Sequence, residues 1–256
     1  NPEVTPEAAA ALLEGIGRYL EGHTDALPED AATRAFLERL QLGELLALLR
    51  DGDRRLLREL ALFRLPLPEP VLRGLAEAAG AERARLVRLG LLERHEDVVD
   101  HRLAAWSANA VALARLGGGV GEADEAAPAL AERAVGPLFA AWGGHEGRQR
   151  RPYAADLELV RLALLAGDAE VLRACAGDAL QGLVRGHEHA RAVAMGEAVI
   201  ARLEAEGVPL LVLVFTAEAF EMTGEGARAD AMLDKAGARA RMTPDDGDDA
   251  DDLAAL

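Results

Sequence analysis

Three prolines spaced two residues apart, Pro66, Pro68 and Pro70, stand between two amphipathic runs and limit what the chain can build there. None has a backbone N–H to donate, so none fits a helix interior, and the residue before each is pushed towards extended backbone. The run Arg54 to Phe63 must therefore stop, the chain must turn rigidly, and a new helix starts near Glu69. Two further amphipathic runs follow, Glu69 to Ala78 and Glu82 to Leu89, separated by Gly80 and closed by Gly90. Beyond them lie two short apolar pieces, Leu91-Leu92 and Val98-Val99, which predict a tiny β-hairpin. Asp53 to Trp106 thus reads as one unit: three helices, then a hairpin.

The rest of the chain reads as helix. Of 256 residues 50% are hydrophobic but only 4% aromatic, and β-branched residues are sparse outside Val208 to Thr216. This favours an all-α fold, and a chain of this length can bury about 70 to 75% of its unfolded surface. Thr5 as N-cap and Pro6 at the first helical position open a helix from Pro6 to Leu20, and a second spans Asp30 to Arg50. A helix ending near Leu116 precedes one expected over Glu122 to Trp142. From Tyr153 the turn glycines Gly167, Gly186 and Gly224 lie 19 and then 38 residues apart, with Gly207-Val208-Pro209 breaking the longer gap. That period fits one helix per interval. Two helices make a unit slightly longer than the ~34 residues of a tetratricopeptide (TPR) hairpin. The last unit matches best, with Ala217 and Phe220 on its first helix and Ala229, Leu233 and Ala236 on its second. Val208 to Phe215 has the content of a buried strand, yet Pro209 suits a first helical turn and the pattern runs on to Phe220 without a turn signal, so helix is expected. Residues 244–256 hold six aspartates and almost no apolar side chains until the end, and are expected to be disordered.

The phrases LALFRLPLPEPVL, LVRLGLLER and VVDHRL, all within Asp53 to Trp106, resemble the winged-helix domain of the STAND signalling NTPases, the class that contains the NB-ARC and NACHT proteins. The resemblance implies a helical lid over residues 1–50, a winged helix over 51–106, a TPR-like α-solenoid over 107–243 and an acidic tail over 244–256. It also implies a cytoplasmic, bacterial regulatory and sensor portion that binds a protein or peptide trigger, follows an upstream nucleotide-binding core, and oligomerises on activation. The intact protein would be an ATPase using ATP/ADP and Mg. Asn1-Pro2 reads as an interior position of such a protein, and this chain itself holds no constellation that reads as catalytic. In the family, a Met-His-Asp motif at the end of the winged helix places a histidine on the β-phosphate of ADP. Here Asp100-His101-Arg102-Leu103 matches at the histidine and the leucine, with Arg102 where the motif has an acid. His101 is therefore the candidate cofactor-sensing residue, with a buried hydrogen-bonded histidine as the alternative. First helices of TPR-like hairpins line a partner groove, which makes Glu218 and Glu221 the candidate partner-binding residues. Rival functions are a TPR adaptor subunit, a winged-helix transcription regulator, and a regulatory subunit of a CHAT-type caspase-like protease.

Charge weighs against some partners. A net charge of −16 opposes broad attraction to nucleic acid or an anionic membrane. Arg83, Arg85 and Arg88 occupy the helix that DNA-binding winged helices use for reading, but Glu82 and Glu93 dilute them and no Asn or Gln suited to adenine accompanies them. The Gly117-Gly118-Gly119 loop lacks the Lys-Ser/Thr of a P-loop and runs into Glu122 and Asp124, so it reads as a connection. His187 and His189 are two apart after a turn, with no third metal ligand in register. His145 with Arg148, Arg150 and Arg151 reads as a solvated basic loop, and the lone Cys175 as helix-packing filler in a reducing compartment.

Overall fold

A computed structural model describes Leu46, residues 49–203 and residues 207–242. The helices expected over Pro6 to Leu20 and most of Asp30 to Arg50, and the acidic tail, lie outside the described residues. Within them the chain is mostly helical, with a small three-stranded sheet. It divides into two compact units. The first takes the described residues up to Ala61, Ala76–Arg94 and Ser107–Gly119; the second takes Leu62–Leu75, His95–Trp106 and the described residues from Val120 onward.

In the first unit, helix α1 (Asp51–Leu60) buries Leu56, Leu57 and Leu60 and turns Arg54, Arg55 and Arg58 away from them. Asp51 and Asp53 in its first turn and Arg58 in its last suit the helix dipole. Helix α2 (Glu69–Ala79) enters this unit at Ala76 and ends at Gly80, whose φ of +68° is the left-handed conformation that closes a helix. Helix α3 (Arg83–Arg88) buries Leu86, and Leu91 N–H bonds back to Leu86 O at 3.0 Å. Helix α4 (Ala110–Arg115) is capped by Asn109, whose side chain accepts from Ala112 N–H at 3.0 Å and donates to Glu93 at 2.7 Å.

Strands β1 (Leu67–Pro68), β2 (Leu92–Glu96) and β3 (Ala104–Ala108) form a sheet of order β1-β3-β2. β1 pairs antiparallel with β3, Leu67 opposite Trp106 and Pro68 opposite Ala105. The proline-rich segment is thus more than a turn: Pro68 is tolerated in the sheet because β1 is an edge strand. The hairpin also differs from the sequence expectation. Val98 and Val99 lie in the loop between β2 and β3, because the Asp97 carboxylate accepts the N–H groups of Val99 and Asp100 at 2.9 and 3.0 Å and turns the chain.

The second unit is dominated by helices α5 (Ala127–Ala141), α6 (Tyr153–Ala166), α7 (Ala169–Arg185), α8 (His189–Leu203), α9 (Leu210–Met222) and α10 (Gly226–Met242). Each packs on the next, and α7 also packs on α5 and α9, and α8 on α6. α5 starts later than the expected Glu122 because Asp124 accepts the Gly121 N–H and forms a turn instead. α9 is buried almost all round, leaving only Val214, Glu218, Glu221 and Met222 partly or fully uncovered. The segment Val208 to Phe215 is therefore helix from Leu210, not strand.

Two links hold this unit across long sequence distances. Glu158, 3% exposed, accepts from Arg64 N–H at 2.9 Å and from Arg161 at 2.6 and 2.8 Å. Arg161 also donates to Leu62 O at 2.8 Å and to Glu122 at 3.0 Å. α8 and α9 meet at Gly196, where a Cβ would overlap Thr216 Oγ1 and lie 2.8 Å from Thr216 Cγ2. Gly196→Ala should cost about 1–3 kcal/mol by overpacking. The loss should shrink beside Thr216→Ala, which removes the colliding hydroxyl, so urea denaturation of the four proteins of that cycle should return a coupling. Purely additive losses would contradict this helix contact.

Candidate functional site

The hairpin loop from Asp97 to Leu103 carries the sequence-predicted residue His101. At its base Asp97 N–H donates to Leu103 O at 3.0 Å, and inside it Leu103 N–H donates to Asp100 O at 2.8 Å and Arg102 N–H to Asp100 Oδ1 at 3.0 Å. Asp97 is 2% exposed, and its second carboxylate oxygen accepts from the indole N–H of Trp142 at 3.2 Å. Trp142 itself is fully buried, immediately after the end of α5. One carboxylate therefore receives two loop amides and a ring N–H, which satisfies a buried charge and fixes the loop's shape.

His101 stands at the tip of this loop with Asp100, Arg102 and Leu103, all exposed. The alternative of a buried hydrogen-bonded histidine does not hold, because the turn made by Asp97 lifts His101 out of the packed interior. An exposed imidazole on an ordered loop can donate to an anionic oxygen brought to it. Glu218 and Glu221 lie one helical turn apart on the uncovered strip of α9, both exposed.

The remaining candidates have structural roles. Gly119 packs where a Cβ would overlap Ala61 Cβ and lie 2.8 Å from Arg58 O, while Arg58 donates to Leu116 O at 3.0 Å. His187 adopts φ +60° at the α7–α8 turn, its ring edge-to-face with that of His189 at 5.8 Å. Among the described residues no group of three or more His, Cys, Asp or Glu is placed to hold a metal ion.

The basic loop is not simply solvated. Arg148 makes a two-point contact with Asp178 at 2.8 and 3.3 Å, and Arg151 is 7% exposed. Arg151 donates to Asp156 at 2.7 Å and to Gly144 O, faces the Phe139 ring at 5.2 Å, and reaches Cys175 Sγ at 3.7 Å. Burial pushes the Cys175 thiol well up, so it stays a neutral packing group. Nothing local in the sequence separated Arg151 from its neighbours; Asp97, Trp142, Asp156 and Glu158 were missed for the same reason.

No family model, curated protein or solved structure matches this chain. No helix among the described residues is long and apolar enough to cross a membrane.

Two outcomes follow from these clusters. Trp142→Phe keeps the ring but removes the donor to Asp97, so it should cost about 1–3 kcal/mol and speed hydrogen exchange at the Val99 and Asp100 amides. Unchanged protection there would show that Trp142 does not hold the loop. Burial raises Asp156 from 3.8 to about 6, against the pull of the Arg151 hydrogen bond and charge. The folded value lies above the unfolded one, so this contribution to stability is fully present below pH 3.8 and is lost as pH rises through about 6. Relative to Asp156→Asn, the wild-type chain should lose up to about 3 kcal/mol between pH 4 and 7, measured by denaturation at each pH. A difference curve that is flat, or that rises in favour of the wild type, would show that the Arg151 pair dominates.

Proposed function

We propose that this chain is the regulatory and sensor portion of a STAND-type signal-transduction ATPase, with the helix pairs binding a protein or peptide trigger. The reading is supported by the order of elements from Asp51 to Ala108, three helices with a hairpin whose sheet is completed by β1, as in winged-helix domains. It is supported further by helices of 13 to 17 residues from α6 to α10, in the length range of TPR-like hairpins. The observation that carries it is the exposed His101 on a loop held by the buried Asp97–Trp142 bond.

In this reading the nucleotide-binding core lies upstream and holds ADP with Mg. His101 donates a hydrogen bond to the β-phosphate, a contact made only in the closed resting state. Glu218 and Glu221 face the partner groove, which suits a trigger segment of basic or mixed character. Trigger binding favours the open state, and opening permits assembly.

Losing a charge-assisted bond of this kind removes about 1.5–3 kcal/mol of differential affinity, enough to shift the closed-to-open ratio roughly tenfold or more. In the intact protein His101→Ala should release ADP faster and assemble without its trigger. Unchanged ADP retention, followed by nucleotide release kinetics, would reduce His101 to an ordinary loop residue.

A further inference from the structure

The first unit carries a cleft of about 330 Å³ lined by Arg50, Glu82, Arg85, Arg88 and Leu89. Three guanidiniums and one carboxylate line it, the reverse of the sign of a chain whose net charge is −16. Arg50 directly precedes α1, while Arg85 and Arg88 lie one turn apart on α3.

The walls are set by close backbone packing and by one buried carboxylate. At Gly52 a Cβ would lie 2.5 Å from Gly80 O and 2.6 Å from Ala79 O, so only glycine lets the start of α1 approach the turn before α3 this closely. Asp53, fully buried, accepts Glu82 N–H at 2.9 Å, and its other oxygen lies 3.7 Å from Arg85 Nη1. Glu82 is only loosely matched to Arg50 and Arg88. Glu82 sits 3.7 Å from Arg50 Nη1 and 3.6 Å from Arg88 Nη2, beyond the roughly 2.7–3.2 Å of a hydrogen bond on both sides. Its monoanionic carboxylate thus stands between two guanidiniums that are 68% and 70% exposed without closing on either.

We propose that this cleft binds a small molecule through a terminal phosphate, gripped by Arg50 and Arg88, with Arg85 adding charge behind and Leu89 offering an apolar wall. A phosphate has the dianionic charge and the tetrahedral spread of oxygens that a single carboxylate lacks, and guanidinium forks bind it by charge-assisted bonds. Glu82 is the negative charge that the ligand must tolerate, so it tunes affinity downward. The inference does not depend on the nucleotide-sensing role of His101.

Titration calorimetry of the full chain at low ionic strength, with inorganic phosphate and pyrophosphate as probes, tests it. Arg50→Ala and Arg88→Ala should each weaken pyrophosphate binding ~10-fold or more, while Glu82→Gln should tighten it ~5-fold, and binding should fall with added salt. Arg50 and Arg88 are exposed, so both variants should fold, which thermal melting verifies; Glu82→Gln gives a change of opposite sign that loss of folding cannot mimic. No binding of either probe at millimolar concentration, or equal affinity in all four proteins, would overturn the proposal. So would selective binding of a short DNA duplex through the same arginines, which would assign the cleft to a nucleic-acid backbone instead.

Discussion

Glu158 is the group on which the second unit depends. A carboxylate 3% exposed would be costly to bury alone, and it is made tolerable by three donors that come from two distant places in the chain. Arg161 lies one turn away on the same helix, while Arg64 N–H arrives from the proline-rich segment 94 residues earlier. Arg161 then reaches Leu62 O, so the segment that leads into β1 is fastened to α6 at both of these points. With β1 fastened, β3 has an edge partner in register, and the hairpin that carries His101 is completed as part of a sheet rather than as an isolated ribbon, which would be marginal in water.

What the sequence disclosed divides by range. The helices from Tyr153 onward were legible because their signals are local: a glycine or a capping aspartate at each turn, such as Gly167 followed by Asp168, whose side chain accepts from Val171 N–H at 3.1 Å. The helix over Leu210–Met222 was legible against a strand-like composition, since Pro209 marks its start. The second strand of the hairpin was misplaced because Val98-Val99 carries strand composition, whereas its geometry is decided by the side chain of Asp97. Turn chemistry of an aspartate was available there and outweighs the β propensity of two valines.

The candidate site was half visible. His101 was reachable only through its neighbours in sequence, and its exposure follows from bonds that neighbours do not reveal. Trp142 and Asp97 are 45 residues apart, and neither carries a pattern that predicts the other. The same holds for Arg151, which sits in a run with the part-buried Arg148 and the exposed Arg150 yet is itself buried, because Asp156 and the Gly144 carbonyl offer it acceptors beneath the surface. Charge runs predict solvated faces on average; a single member departs when an acceptor cluster lies within reach of its stem.

Such buried polar contacts matter more to a loop than to a helix. The residues 98–103 bury little apolar surface, so packing alone would leave them free to sample many shapes. A carboxylate with three donors replaces that missing apolar burial: to change the loop's shape, Asp97 must lose amides while staying in a place that water does not reach. The penalty for an unsatisfied buried charge, about 3–5 kcal/mol, offsets the gain from the loop's added freedom over two or three residues. The loop backbone that carries His101 is thereby held in one shape while the His101 side chain stays exposed. Because the third donor comes from Trp142 at the end of α5, the position of the loop that carries His101 is set by that helix as well as by the hairpin itself.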